Sequence, residues 1–174
     1  MKHRSEKKQN QPSSSTPAFL NSILPKRILV PIDFSAHSKN ALRYAIPFAK
    51  HFQAELVLVY VVEPAVYPAD FSFGQVSLPD LEHELRERAK RELERLLEAE
   101  IRGQVAARTI VRTGKAFLEI ISTAKEENTD LIIIATHGHT GVEHILFGST
   151  AEKVVRKAPC PVLSLRPTED ESLR

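Results

Sequence analysis

The chain has 174 residues, 42% of them hydrophobic and 26% charged, which is typical of one globular domain and argues against a two-domain enzyme. The formal net charge is +2, but the first 26 residues hold five of the 24 basic residues and only one of the 22 acidic residues. The remainder of the chain is therefore slightly acidic, and it gives no reason to expect a nucleic-acid-binding face. A single cysteine, Cys160, excludes an internal disulfide framework and a cysteine-based zinc cluster, and it favours a cytoplasmic, reducing setting.

The two ends of the chain differ in composition from its centre. Residues 1–25 are polar, include the stretch Pro12–Pro17, and are predicted to form a disordered tail because they cannot bury enough apolar surface. No apolar run approaches the ~18 residues that cross a bilayer, and no secretory signal is evident, so we expect no membrane association. We expect one domain over residues 26–168, followed by a short polar tail over residues 169–174.

From Lys26 onward, short β-branched runs alternate with longer segments of helical period, which is typical of β-α-β units and a parallel sheet. The five predicted strands are Arg27–Asp33, Leu56–Val62, Val105–Arg112, Asp130–Thr136 and Pro161–Arg166. Four helices are predicted. The first begins after an N-cap at Ser35 and is kinked by Pro47, and the other three span Asp80–Glu100, Ala116–Glu126 and Ser149–Lys157. Right-handed crossovers then imply a Rossmann-like α/β fold, with a doubly wound sheet of order 3-2-1-4-5 and helices on both faces.

Three of the six glycines, Gly138, Gly141 and Gly148, fall within the segment that follows the predicted fourth strand. Gly148 precedes Ser149 and Thr150 at a predicted helix start, where free backbone N–H groups and the helix dipole favour an anion. Ligands of open α/β sheets bind beyond the carboxyl ends of the strands where the winding reverses, here between strands one and four. This position brings Asp33 next to the glycines, so the pattern predicts a phosphate site beside a carboxylate that could meet a sugar or a base.

Simpler interpretations of the same residues remain open. Asp33 could only cap the first turn of the first helix, and Ser149 and Thr150 could only be N-caps. The histidines at 137, 139 and 144 do not form a set of metal ligands with suitable partners, so no metal site is predicted. The long connection over residues 63–79 carries three aromatic side chains, which could cover a ligand or only the end of the sheet.

Five segments form a recognisable set: Val30–Ser35, Val59–Val62, Ala135–Gly141, Gly148–Glu152 and Ala158–Leu163. This set resembles the universal stress protein family, and the resemblance extends over residues 26–166. It implies a domain that binds ATP, with Mg²⁺ held through the phosphates, and that acts as a nucleotide-responsive stress regulator with little or no catalysis. The resemblance implies the following binding residues: Pro31, Asp33, Val61, Ala135, Thr136, His137, Gly138, His139, Thr140, Gly141, Gly148, Ser149 and Thr150.

The sequence departs from the motif Gly-x2-Gly-x9-Gly-Ser/Thr of the family's ATP-binding branch at one position. Gly138, Gly148 and Ser149 match, but Ala135 stands at the first glycine position. A Cβ atom at a point of close backbone approach would weaken binding rather than abolish it if the φ angle of Ala135 is negative. Two alternatives therefore stay open, a protein-interaction module that binds no nucleotide and a slow ATPase or phosphotransferase.

The last predicted strand indicates how the protein assembles. Val162–Leu165 lies at the edge of the sheet with apolar side chains on both faces, and an edge of this kind normally finds a partner. We therefore expect a homodimer through this strand, in addition to an unidentified protein partner for the regulator.

Overall fold

The structure is a computed structural model, and it describes residues 24–63, 78–137 and 148–166, with residues 78–80 described by their backbone alone. Its strands are β1 Arg27–Pro31, β2 Glu55–Val62, β3 Ala107–Thr113, β4 Leu131–Ala135 and β5 Val162–Leu165. Its helices are α1 Ala36–Phe52, α2 Leu78–Leu96, α3 Ala116–Glu126 and α4 Ser149–Lys157. A single π-helical turn, Leu97–Ile101, follows α2 directly.

The five strands form one parallel sheet of order β3-β2-β1-β4-β5, as the sequence predicted. Pro31 of β1 pairs with Val59 of β2, and Leu29 of β1 pairs with Ile132 of β4. The chain moves outward to β3 on one side of β1 and then returns to β4 on the other side. The carboxyl ends of β1 and β4 are therefore adjacent at the point where the winding reverses, which is where ligands of such sheets bind.

Apolar side chains on the two faces of the sheet form two separate core clusters. On one face, α1 packs against β1 and β2 through residues such as Leu42, Ala45 and Leu58. On the other face, α3 and α4 pack against the central strands through residues such as Ile120 and Val154. The central strands are buried on both faces, which explains why they are continuous apolar runs in the sequence.

Helix α1 begins and ends at residues with clear capping geometry. The Ser35 hydroxyl accepts a hydrogen bond from Ser38 N at 3.1 Å, which confirms the predicted N-cap. The helix continues through Pro47 and ends at Gln53, which adopts the left-handed conformation with φ 54°. Its apolar residues at helical spacing face the core, as their period predicted.

Several strands are shorter than predicted. Strand β1 ends at Pro31, two residues early, because the chain turns at Asp33–Ser35. Strand β3 begins at Ala107 rather than Val105, and β5 spans four residues. Residues 1–23 of the predicted tail at residues 1–25, and the whole predicted tail at residues 169–174, lie outside the described residues. Within the described ranges, no helix combines the length and the apolar character that a membrane span requires.

Candidate functional site

A cleft of about 460 Å³ opens at the carboxyl ends of β1, β2 and β4, between the first turns of α3 and α4. Nine of the residues that the sequence pointed to line this cleft: Pro31, Asp33, Val61, Ala135, Thr136, His137, Gly148, Ser149 and Thr150. Residues that the sequence did not single out also line it, among them Ser38, Tyr60, Glu63, Ala116 and Ile120. The remaining predicted residues, Gly138, His139, Thr140 and Gly141, lie outside the described residues.

Asp33 is fixed by the turn that connects β1 to α1. Its carboxylate oxygen Oδ1 accepts hydrogen bonds from Ser35 N at 3.0 Å and from Ser35 Oγ at 2.6 Å. Its own N–H donates to Ser38 Oγ at 3.3 Å. In the described contacts Asp33 holds the N-cap residue Ser35 in place, whereas Ser35 itself caps the first turn of α1. The same Asp33 side chain also lines the cleft, so this structural role is compatible with ligand contact.

Phe34 makes this turn possible at a conformational cost. It adopts φ 64°, in the left-handed region that non-glycine residues rarely enter. Its ring packs against Tyr60 with ring centroids 4.8 Å apart, which helps to hold the backbone in this conformation. The turn therefore presents Asp33 to the cleft from a fixed backbone.

The start of α4 has the geometry of an anion-binding site. Gly148 is the N-cap with φ −65°, its N–H donates to Thr136 O at 2.7 Å, and no side chain caps the helix in the described part of the chain. Ser149 and Thr150 are therefore the first two residues of the helix and not its N-caps. The residues of this uncapped first turn line the cleft, so the positive end of the helix dipole lies at the cleft wall.

Gly148 is required for space rather than for an unusual φ angle. A Cβ atom at this position would lie 3.1 Å from Thr136 O, closer than ordinary van der Waals contact. A Cβ atom here would require the end of β4 and the start of α4 to shift by a few tenths of an ångström. This close approach agrees with the motif, which places glycine at this position.

Ala135 and its neighbours form the β4 side of the cleft. Ala135 is the last residue of β4 and is not among the residues with positive φ, so its Cβ atom is accommodated without backbone strain. Thr136 is 1% exposed, and its N–H donates to Leu165 O at 2.8 Å. His137 Nδ1 lies 2.9 Å from Thr136 Oγ1, and its ring centroid lies 6.2 Å from that of His37.

Glu63 is a cleft residue that the sequence analysis missed. It follows the last residue of β2, and its Oε1 accepts a hydrogen bond from Ala116 N at 2.7 Å, at the first residue of α3. The signal that could have found it is an acidic residue directly after a buried apolar strand, because strand ends of this kind meet at the ligand-binding edge.

Other residues with possible chemical roles lie away from the cleft or outside the described residues. Cys160 precedes β5 and packs against the second core cluster, and burial raises the pKa of its thiol, so the unreactive thiol form is favoured. In the described residues, no three His, Cys, Asp or Glu side chains form a possible metal site. His139, His144 and the aromatic residues of the connection after Glu63 lie outside the described residues.

Comparisons with known proteins agree with this architecture. The sequence model of the universal stress protein family matches residues 25–166. Universal stress protein MJ0531 of Methanocaldococcus jannaschii is 35% identical over 162 residues, which cover 88% of this chain and 92% of that protein.

Two solved structures illustrate matches that extend over nearly the whole length of the other chain. The structure of MJ0577, another universal stress protein of Methanocaldococcus jannaschii, has a TM-score of 0.72 and 28% identity, covering 84% of this chain and 99% of that chain. A universal stress protein from Archaeoglobus fulgidus, solved in complex with dAMP, has a TM-score of 0.56 and 22% identity. The match covers 81% of this chain and 98% of that chain, and at this identity it supports only the shared fold. With its fold, the position of its cleft and the match over residues 25–166, the chain belongs to the universal stress protein family.

Proposed function

We propose that the protein binds ATP in this cleft and acts as a nucleotide-responsive stress regulator with little or no catalysis of its own. The observation that carries the proposal is the uncapped start of α4, where Gly148 approaches Thr136 O closely and the first-turn residues line the cleft. Phosphate groups are the ligands that such a helix start favours.

The charges around the cleft give a ligand one preferred orientation. The positive end of α4 lies on the β4 side, and the carboxylates of Asp33 and Glu63 lie at the ends of β1 and β2. Phosphates placed at α4 would leave the nucleoside near the carboxylates and the apolar side chain of Val61. A nucleotide has this combination of an anionic end and an uncharged, hydrogen-bond-donating end.

An adenine nucleotide is the form of this ligand that we propose. The Archaeoglobus fulgidus relative was solved in complex with dAMP, which supports the choice for a chain of the same fold. Mg²⁺ would be held through the phosphates, as is usual for nucleotide-bound Mg²⁺. In this arrangement Ser149, Thr150 and the N–H groups of α4 would bind the phosphates, and Asp33 would meet the adenosine.

The Ala135 position does not argue against nucleotide binding. Because Ala135 is a strand residue without a positive φ, the methyl group requires no change in the backbone that faces the cleft. We therefore favour nucleotide binding over the alternative of an interaction module that binds no nucleotide. We also propose a cytoplasmic location, in which the nucleotide state is passed to a protein partner.

The first experiment is to denature freshly purified protein and identify any released nucleotide by mass. Adenine nucleotide at about one molecule per chain supports the proposal, and calorimetric titration of nucleotide-free protein with ATP and Mg²⁺ then gives the affinity.

Asp33→Asn is an informative variant for this titration, because an amide oxygen can still accept the bonds from Ser35 while the charge is lost. Asp130→Asn is the matched control, because Asp130 accepts two backbone bonds at the opposite edge of the sheet. Altered ATP affinity in Asp33→Asn alone supports the site, and wild-type protein that neither carries nor binds ATP would refute the proposal.

A further inference from the structure

Glu63 has a position in the cleft that the phosphate motif does not explain. It follows β2 two residues after Val61, and both side chains line the cleft. The side chain belongs to an exposed residue, yet its Oε1 is held at 2.7 Å from Ala116 N. An exposed carboxylate with a fixed position at the rim of a binding site is a candidate for ligand recognition.

The first turn of α3 fixes this carboxylate. The N-cap of α3 is Lys115, whose side chain makes no capping hydrogen bond, so the helix start is satisfied from outside by Glu63. The helix dipole adds to this attraction for a negative charge. Because one bond is made through Oε1, the second oxygen, Oε2, stays beside it with its own acceptor sites.

The order of the strands places Glu63 at the end of the cleft opposite α4. The start of α4 adjoins the end of β4, Asp33 follows β1, and Glu63 follows β2. Neighbouring strands lie about 4.8 Å apart, so a ligand that reaches from β4 to β2 spans about 10 Å. A nucleotide whose phosphates lie at α4 therefore brings the far edge of its base towards Glu63.

We propose that Glu63 is the residue that selects a 6-amino purine, and this assignment rests on the proposed nucleotide function. A carboxylate can only accept hydrogen bonds, and the 6-amino group of adenine donates them. Hypoxanthine carries an oxygen at the same position, so two acceptors would face each other without a proton between them. Such a mismatch at a polar contact discriminates strongly between otherwise similar ligands.

The test compares ATP with ITP, which differ at the 6-position of the base, in the full-length wild type and in Glu63→Gln. The glutamine oxygen can still accept the bond from Ala116 N, while its NH₂ group can donate to the oxygen of hypoxanthine. Glu119→Gln is the matched control, since it removes a carboxylate of the same size from the first turns of α3 without touching the cleft lining. The ratio of the two dissociation constants cancels the general effect of losing a negative charge.

We expect the wild type to bind ATP at least about tenfold more tightly than ITP, as befits a hydrogen bond to a charged group. The ratio should fall to within about threefold in Glu63→Gln and keep its wild-type value in Glu119→Gln. An unchanged ratio in Glu63→Gln would overturn the assignment while leaving ATP binding in place. A change confined to the ratio of ATP to 2′-deoxy-ATP would overturn it too, because Glu63 would then contact the ribose. Wild-type protein that binds no ATP would overturn the function and the assignment together.

Discussion

Gly148 lies so close to Thr136 that a Cβ atom would be in tight contact with the Thr136 carbonyl oxygen, at 3.1 Å. Its φ of −65° is open to any residue, so in the described residues it is this contact, and not the backbone conformation, that favours glycine here. Ala135 shows the opposite situation, because its backbone lies in a regular strand and its Cβ atom causes no strain. The requirement for glycine is therefore a matter of local contact and differs between two positions of one motif.

Gly148→Val should lower the affinity for ATP by about 2 kcal/mol or more, because the side chain displaces the start of α4 from the end of β4. Gly148→Ala should show the same effect at smaller size. Calorimetric titration gives the affinities, and urea unfolding of each variant separates a local effect from a loss of the fold. If Gly148→Val binds ATP with wild-type affinity, the start of α4 is not part of the binding site.

Ala135→Gly should leave the affinity for ATP unchanged or increase it, because it removes a methyl group from the lining of the cleft. The variant should be less stable by up to about 1 kcal/mol, since glycine in a strand loses more conformational entropy on folding. The two quantities are measured by titration and by urea unfolding. Weaker binding would show that Ala135 does not occupy the motif position assigned to it.

Some residues of the cleft could be predicted from sequence and others could not. Asp33 was predictable because it stands near the end of a buried strand, and Gly148 because it stands directly before a helix. Glu63 is hydrogen-bonded to Ala116, 53 positions away in the sequence. The positive φ of Phe34 could not be predicted either, because phenylalanine is not a residue type that favours the left-handed conformation. Contacts of these two kinds depend on how elements meet, which the local pattern does not contain.

At the scale of elements, an ion-pair network joins three strands to the C-terminal end of α3. Glu55 of β2 accepts hydrogen bonds from Arg27 of β1 and Arg108 of β3, each at 3.0 Å. Arg108 also pairs with Glu127, which follows α3. The hydrogen bond from Arg108 and the charges of the neighbouring arginines hold the pKa of Glu127 below its ordinary value, against the effect of desolvation.

This network predicts a pH-dependent contribution to stability. The native Glu127 carboxylate binds a proton less readily than the unfolded one, so its contribution is complete at neutral pH. The contribution is lost as the pH falls from about 4.5 through the lower native pKa. Glu127→Gln should therefore lower the free energy of unfolding at pH 7 by about 1 kcal/mol or less, with a smaller difference at pH ~3.

Urea unfolding at both pH values checks this prediction. Glu94→Gln on the exposed side of α2 is the control, since the described contacts include no ion pair for Glu94, and its effect should not depend on pH. A pH-independent effect of Glu127→Gln would show that the pair with Arg108 adds nothing to stability.

The elements themselves were more predictable than their limits. The apolar runs of β1, β2 and β4 and the helical period of α1 and α3 reflect burial, and burial determines which elements form. The ends depend on individual bonds, such as those of Asp33 to Ser35 that end β1 early. The π-helical turn after α2 likewise has no sequence signal that separates it from the helix.

At the scale of the whole molecule, we propose that β5 joins two copies of the chain into a homodimer. Leu163 and Leu165 pack on one core cluster and Val162 on the other, so the side chains of this edge strand are committed to the fold. The carbonyl groups of Pro161 and Leu165 accept hydrogen bonds from Ile132 of β4 and from Thr136, which directly follows β4. Because backbone groups alternate along a strand, those of Val162 and Ser164 point away from the sheet and are available to a second strand.

Ser164→Pro should produce a monomer, because proline removes an outward N–H group while the bonds to β4 remain. Ser164→Ala is the matched control, since it changes the side chain and keeps the N–H group. A test at Ser164 also avoids the leucines of β5, whose side chains pack against the core. Sedimentation should show monomer for the first variant and dimer for the second, and a folded Ser164→Pro dimer would locate the interface elsewhere.

Thr136 connects the start of α4 to this edge of the sheet through a single residue. Its carbonyl oxygen accepts from Gly148 N at 2.7 Å, and its own N–H donates to Leu165 O at 2.8 Å. Two hydrogen bonds, both made by the backbone of Thr136, thus connect the start of α4 to β5, the strand that we propose pairs with a second copy of the chain. Thermodynamic reciprocity then requires that, if nucleotide tightens the dimer by some factor, the dimer binds nucleotide more tightly by the same factor. The molecule would in that case report nucleotide concentration and its own concentration as one combined signal.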